Sequence, residues 1–170
     1  MREDSKIYAV ISEGEGYLVE FKESPSHLEK DFCAFANANG GTIYIGISDT
    51  GKIIPTLLSN RLKSQLHDSA RNCDPPIEIS VRSFGNIIAV SVNESQNKPV
   101  RSRDGFYLRI GSNSQKLTRD EILTFAVETT KIIFDKQLYV KKESKYLLNT
   151  RYIELFRKKS GLEEDLSNSE

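Results

Sequence analysis

Hydrophobic and polar positions alternate along YLVEFK, residues 17–22. Leu18, Glu20 and Lys22 fall on one face of a predicted strand, and Tyr17, Val19 and Phe21 on the other. The period then lengthens. Leu28, Phe32, Phe35 and Ala36 form a helical stripe, preceded by Pro25 and by a Ser26/Glu29 pair that reads as an N-cap with its capping box. This helix is expected to end in Asn37-Ala38-Asn39-Gly40-Gly41, because Gly accepts the left-handed backbone that a helix C-terminus often needs. Strand-forming residues return in TIYIGIS, 42–48, before the turn Asp49-Thr50-Gly51-Lys52.

Leu58, Leu62 and Leu66 predict a second helix over about 58–72, stopped by Pro75-Pro76. IEISVRSF and IIAVSVN flank Gly85-Asn86, a hairpin signal. VRSR (100–103) and FYLRIG (106–111), joined by Asp104-Gly105, predict another hairpin. Thr118 and Glu121 repeat the capping-box pattern before a helix from about 119 to 131. The following KIIFDKQLYVKKESKYLLNTRYIELFRKKS reads as partly helical, and GLEEDLSNSE has the composition of a disordered tail. The element order gives an α+β class. Three regions are expected: a domain over 1–135, a helical extension over 136–160 and an acidic tail over 161–170.

Charge changes this picture, because the formal net charge of zero conceals segregation. Residues 1–60 carry 5 Lys/Arg against 9 Asp/Glu, residues 61–160 carry 19 against 11, and the last ten carry none against 4. An acidic first third and a basic remainder suit a metal site beside a phosphate-attracting surface, and also an ordinary solvated surface. No apolar run reaches the roughly 20 residues of a membrane span, and the N-terminus lacks the pattern of a signal peptide. Cys33 and Cys73 have no metal-ligand spacing and suggest no disulfide framework, which fits a reducing cytoplasm.

The candidate chemistry lies in Glu15, Glu20, Lys22 and Asp49. Were the strands at 17–22 and 42–48 neighbours, three carboxylates and an ammonium would converge. Oxygen ligands of this kind suit Mg²⁺ or Mn²⁺, which activate water or stabilise charge on a phosphodiester. Solvated carboxylates and a simple Lys22–Glu20 pair account for the same spacing. No G-x-G-x-x-G or G-x-x-x-x-G-K-[ST] motif occurs, so a nucleotide-binding loop is not indicated.

E-x-x-x-x-E-F-K-E-S, followed by a helix into F-A-N-A-N-G-G-T-I-Y-I-G-I-S-D-x-G and later by F-Y-L-R-I-G-S-N-S, resembles the Schlafen AlbA-type (AlbA_2) domain over about residues 10–130. The resemblance implies a single α+β lobe with a mixed sheet, flanking helices and nucleic-acid binding. Some Schlafens are metal-dependent endoribonucleases acting on tRNA and rRNA through two Glu and one Asp. Carried over by motif, these would be Glu15, Glu20 and Asp49, holding Mg²⁺ or Mn²⁺, with Lys22 beside them. Animal Schlafens combine two such lobes into a basic groove. This chain has length for one, so a homodimer is expected to rebuild the groove. Their zinc-binding residues have no match, since Cys33, Cys73, His27 and His67 form no ligand pair.

The expected contacts to structured, tRNA-like RNA or to DNA are Arg101, Arg103, Arg109 and Lys116, with Tyr107 stacking on a base. Solvated edge-strand charges account for the same Arg residues, and core packing for Tyr107. Ser112, Asn113 and Ser114 offer small polar contacts. Lys141-Lys142 and Arg157-Lys158-Lys159 are candidates for extending the surface. Two readings follow: a metal-dependent endoribonuclease, or a non-catalytic nucleic-acid-binding module whose binding survives EDTA.

Overall fold

The computed structural model describes residues 3–140, with side-chain surroundings over 7–129. The alternating stretch becomes strand β1 (Val19–Lys22), and the helical stripe becomes α2 (Glu29–Asn37), after a first helix α1 (Glu3–Glu13). Strand β2 (Gly41–Ile45) returns parallel to β1, with Glu20 opposite Ile43 and Lys22 opposite Ile45. The two strands are therefore neighbours joined by a helical crossover, as the sequence led us to expect.

Helix α3 (Asn60–Arg71) starts at Ser59, whose hydroxyl accepts the Leu62 N–H. β3 (Ile79–Phe84) and β4 (Ile87–Val92) form the hairpin predicted at Gly85-Asn86. β4 also pairs antiparallel with β2, giving a mixed sheet in the order β1-β2-β4-β3. One face packs Ile43, Ile45, Ile88 and Val90 against Phe32 and Phe35 of α2 and Leu66 and Ala70 of α3. The other packs Phe21, Ile47 and Ile87 against Ile7 of α1, with Phe21 edge-on to Tyr44. Each fully buried large apolar side chain contributes about 1.5–3 kcal/mol, so these two layers fix the sheet.

Two local expectations are corrected. Ser26 is not the N-cap of α2; Leu28 is, with no side-chain cap, and His27 adopts a left-handed φ of 56°. Burying Leu28 takes precedence over the Ser26 cap, while Glu29 and Asp31 in the first turn complement the helix dipole. The second correction concerns the hairpin at 100–111. β5 (Tyr107–Ile110) pairs with β6 (Asn113–Lys116) across Gly111-Ser112, not with residues 100–103. Arg101 is already committed, exchanging both backbone bonds with Asp74 at 2.8 and 2.9 Å. Only an isolated Ser102–Gly105 bridge survives of the expected pairing.

Helix α4 (Arg119–Val140) opens on the predicted capping box. The Thr118 N–H and hydroxyl both donate to Glu121, whose own N–H returns to Thr118 Oγ1. These donors hold the exposed Glu121 carboxyl below the usual range. The helix runs past the expected end near 131 to take in the first residues of the expected extension, 136–140, while the rest of that extension, the acidic tail and the basic groups lie outside the described residues. No described helix is long and apolar enough to cross a membrane.

Candidate functional site: a buried ion-pair network beside a basic turn

The Asn/Gly segment closes α2 and returns the chain to the sheet. The Gly40 N–H bonds the Phe35 carbonyl and has φ 74°, which suits Gly. At Gly41 a Cβ would stand 2.4 Å from the Phe35 ring and 2.8 Å from the Leu18 carbonyl, so helix and strand approach only because no side chain intervenes. Asn37 is buried. Its amide donates to the carbonyls of Val100 (2.7 Å) and Tyr107 (2.8 Å), and its oxygen accepts the Val100 N–H (2.7 Å). This one side chain ties α2 to the segment that carries the basic residues.

β1 delivers Glu20 and Lys22 onto the α2 side of the sheet. Glu20 is buried, and both of its oxygens are taken: Oε1 by the Lys22 ammonium, Oε2 by Arg109 Nη1 at 2.6 Å. Arg109 comes from β5 with a side chain that is 0% exposed. Nη2 donates to the carbonyls of Gly16 (2.8 Å) and Val19 (2.9 Å), and Nη1 also reaches Ser114 Oγ at 3.3 Å. The guanidinium lies 4.6 Å from the centre of the Phe35 ring. A buried charge is tolerable only when paired and bonded in this way; among the five donors, Nε alone lacks an acceptor.

A third acid, which the sequence reading missed, completes the network. Asp31 of α2 is 1% exposed, lies 3.5 Å from the Lys22 ammonium, and receives no donor at hydrogen-bonding geometry on either oxygen. Burial pushes its carboxyl up, against the pull of Lys22 and of the nearby Ser114 hydroxyl. Burial also opposes the charge on Lys22, but its bond to Glu20 and the fields of Asp31, Glu20 and Glu15 outweigh that and raise its pKa. The visible signal was an acid on the apolar stripe of the helix, three residues after Leu28 and four before Phe35.

Glu15 is exposed, and its Oε1 accepts the Phe21 N–H at 2.8 Å. The outer edge of β1 is thus covered by side chains, Glu15 at Phe21 and Arg109 at Val19. Asp49 stands exposed in the turn that Ser48 closes with Lys52 and Gly51, and it makes no ion pair among the described residues. Glu15 and Glu20 are therefore brought together around Lys22 with Asp31, in the place expected for Asp49. As arranged, the residues do not fit a divalent cation: cations already fill both Glu20 oxygens, and no three described His, Cys, Asp or Glu form a ligand group.

Of the expected nucleic-acid contacts, Arg109 is internal. Arg101, Arg103 and Lys116 are exposed. Arg101 reaches Asp74 at 3.3 Å, whereas Arg103 and Lys116 have no ion pair among the described residues. The Lys116 chain crosses Gly105, two residues after Arg103, with Cε 2.9 Å from where a Cβ would stand. Tyr107 is the register partner of Lys116 and is half-buried; burial and Asp104 push its phenol up, so it stays a neutral donor. Arg101 and Arg103 also line a cleft of about 420 Å³ with Glu29, Asn72, Cys73, Asp74 and Ser102.

The model of the Schlafen, AlbA_2 family matches residues 15–118. No curated protein matches the chain. Among solved structures, the DIP2311 protein from Corynebacterium diphtheriae is similar in fold, with a TM-score of 0.52 at 18% identity. The match covers 73% of this chain and 31% of that one, so this chain corresponds to about a third of that protein.

Proposed function

Since the chain belongs to the Schlafen AlbA_2 family, whose members are associated with nucleic acids, we propose that it is a nucleic-acid-binding module that holds the phosphate backbone with Arg103, Lys116 and Arg101. One observation supports this reading above the others: Arg103 and Lys116 are exposed and free of ion-pair partners among the described residues, on a turn and hairpin that meet at Gly105 and are fastened by Asn37 and Arg109. Cations on a pre-ordered surface bind phosphates without first losing side-chain pairs. Tyr107, beside Lys116, offers a ring to an unstacked base. A two-fold dimer would set two such surfaces together, and sedimentation equilibrium checks it.

A second reading, an endoribonuclease using Mg²⁺ or Mn²⁺ on Glu15, Glu20 and Asp49, is favoured by the acidic surroundings of Lys22. It requires Glu20 to exchange its present cationic partners for a metal.

The test is fluorescence anisotropy with a labelled tRNA pool and a single-stranded DNA, each with EDTA, Mg²⁺ or Mn²⁺. Binding is expected in EDTA, with each of Arg103→Ala and Lys116→Ala lowering the salt-dependence slope by about 1. Absence of binding at low salt overturns the proposal. Metal-dependent cleavage of the RNA, lost in Glu20→Gln, replaces it with the nuclease reading.

A further inference from the structure

The turn and hairpin that carry Arg103, Tyr107 and Lys116 have an exposed outer strand and tip, so side-chain fastenings must set their position. At the start of β5, Asn37 holds the Tyr107 carbonyl. Two residues on, Arg109 crosses from β5 to β1, bonds Glu20 and the carbonyls of Gly16 and Val19, and lies against Phe35. Of these partners only Glu20 carries a charge, and it is a buried carboxylate that faces Arg109 and Lys22.

We propose that Glu20 is a positioning residue for nucleic-acid binding. It latches the β5–β6 hairpin through Arg109, so that Lys116 and Arg103 present their charges to adjacent phosphates. This rests on the nucleic-acid-binding reading above and extends it to an acid that does not touch the ligand. The acidic first third and the basic later segment thereby become parts of one device.

Lys22 makes the latch separable from folding. When Arg109 is altered, Glu20 keeps Lys22 on its other oxygen and is not left uncompensated. When Glu20 becomes Gln, Lys22 keeps Asp31, and Arg109 keeps two carbonyls and an amide oxygen. Both conservative variants are therefore expected to fold.

The experiment measures anisotropy with the labelled tRNA pool across a salt series for the wild type, Glu20→Gln, Arg109→Lys and Leu66→Ala. Leu66 packs in the core on α3, and its truncation is a control for general loss of stability. Circular dichroism establishes folding, and hydrogen exchange reads the β5–β6 amides. Glu20→Gln and Arg109→Lys are expected to speed hairpin exchange, weaken binding roughly tenfold and lower the salt slope by about 1. Leu66→Ala is expected to leave the slope unchanged. Wild-type affinity and slope in Glu20→Gln overturn the positioning role while leaving the binding reading intact. Failure of the wild type itself to bind overturns both.

Discussion

Glu20 and Arg109, 89 residues apart in sequence, meet as a buried ion pair at 2.6 Å. Its two halves are not equivalent. Without Glu20, Arg109 has no carboxylate partner, and a stranded buried charge costs about 3–5 kcal/mol. Without Arg109, Glu20 retains Lys22. Urea denaturation is therefore expected to show a larger loss for Glu20→Leu than for Arg109→Leu, with the double variant recovering part of the difference. Equal single losses would mean that Lys22 does not compensate.

Asn37 offers a second test. Three of its bonds reach the backbone of Val100 and Tyr107, and Cys33, one turn earlier on α2, adds only the weaker contacts of its thiol to the same carbonyls, at 3.1 and 3.9 Å. Asn37→Asp keeps the size but turns the donor into an acceptor facing two carbonyls. Each buried group left unsatisfied costs about 1–3 kcal/mol. Asn37→Asp is expected to destabilise more than Asn37→Ala at neutral pH, as read from urea midpoints. The reverse order would place water, not the two carbonyls, opposite the amide.

These contacts mark where the sequence was legible. Alternation at 17–22, the stripe at 28–36 and the Gly pair defined a β-α-β crossover, and therefore the adjacency of β1 and β2, because local periodicity and turn chemistry decide such units. The Thr118/Glu121 cap and the Gly85-Asn86 hairpin were equally local. Arg109 was not legible. It stands in a strand among exposed Arg residues, and only a partner on β1 accounts for its burial. Hairpin pairing failed for the same reason, since Asp74, not the nearest polar turn, takes up the backbone of Arg101. Asp49 follows β2, but the chain turns back at Ser48, and the acid beside Lys22 comes from the helix instead.

Gly41 tests the close approach of helix to strand. Gly41→Ala sets a methyl 2.4 Å from the Phe35 ring, on which Arg109 lies, so Phe35 must move. Overpacking of this kind costs about 1–3 kcal/mol. Gly16→Ala is the control, since a Cβ there meets nothing within 4 Å. Thermal denaturation is expected to show a clear fall in Tm for the first and little change for the second. A silent Gly41→Ala would mean that Phe35 repacks freely, and the Arg109 platform with it.

Asp31 gives the pH test. Lys22, Glu20, Ser114 and Lys30 surround it, yet burial dominates and raises its carboxyl above the ordinary 3.8. The folded state therefore holds this proton more tightly than the unfolded chain does. The resulting stability is fully present below pH 3.8 and is lost as pH rises through the folded pKa. Asp31→Asn keeps the shape and removes the titration. The Tm of the variant relative to wild type is expected to rise between about pH 3.5 and pH 7, measured by circular dichroism in matched salt. A relative fall over that interval would mean that attraction to Lys22 exceeds the cost of burying the charge, and would make Asp31 a net stabiliser of the network.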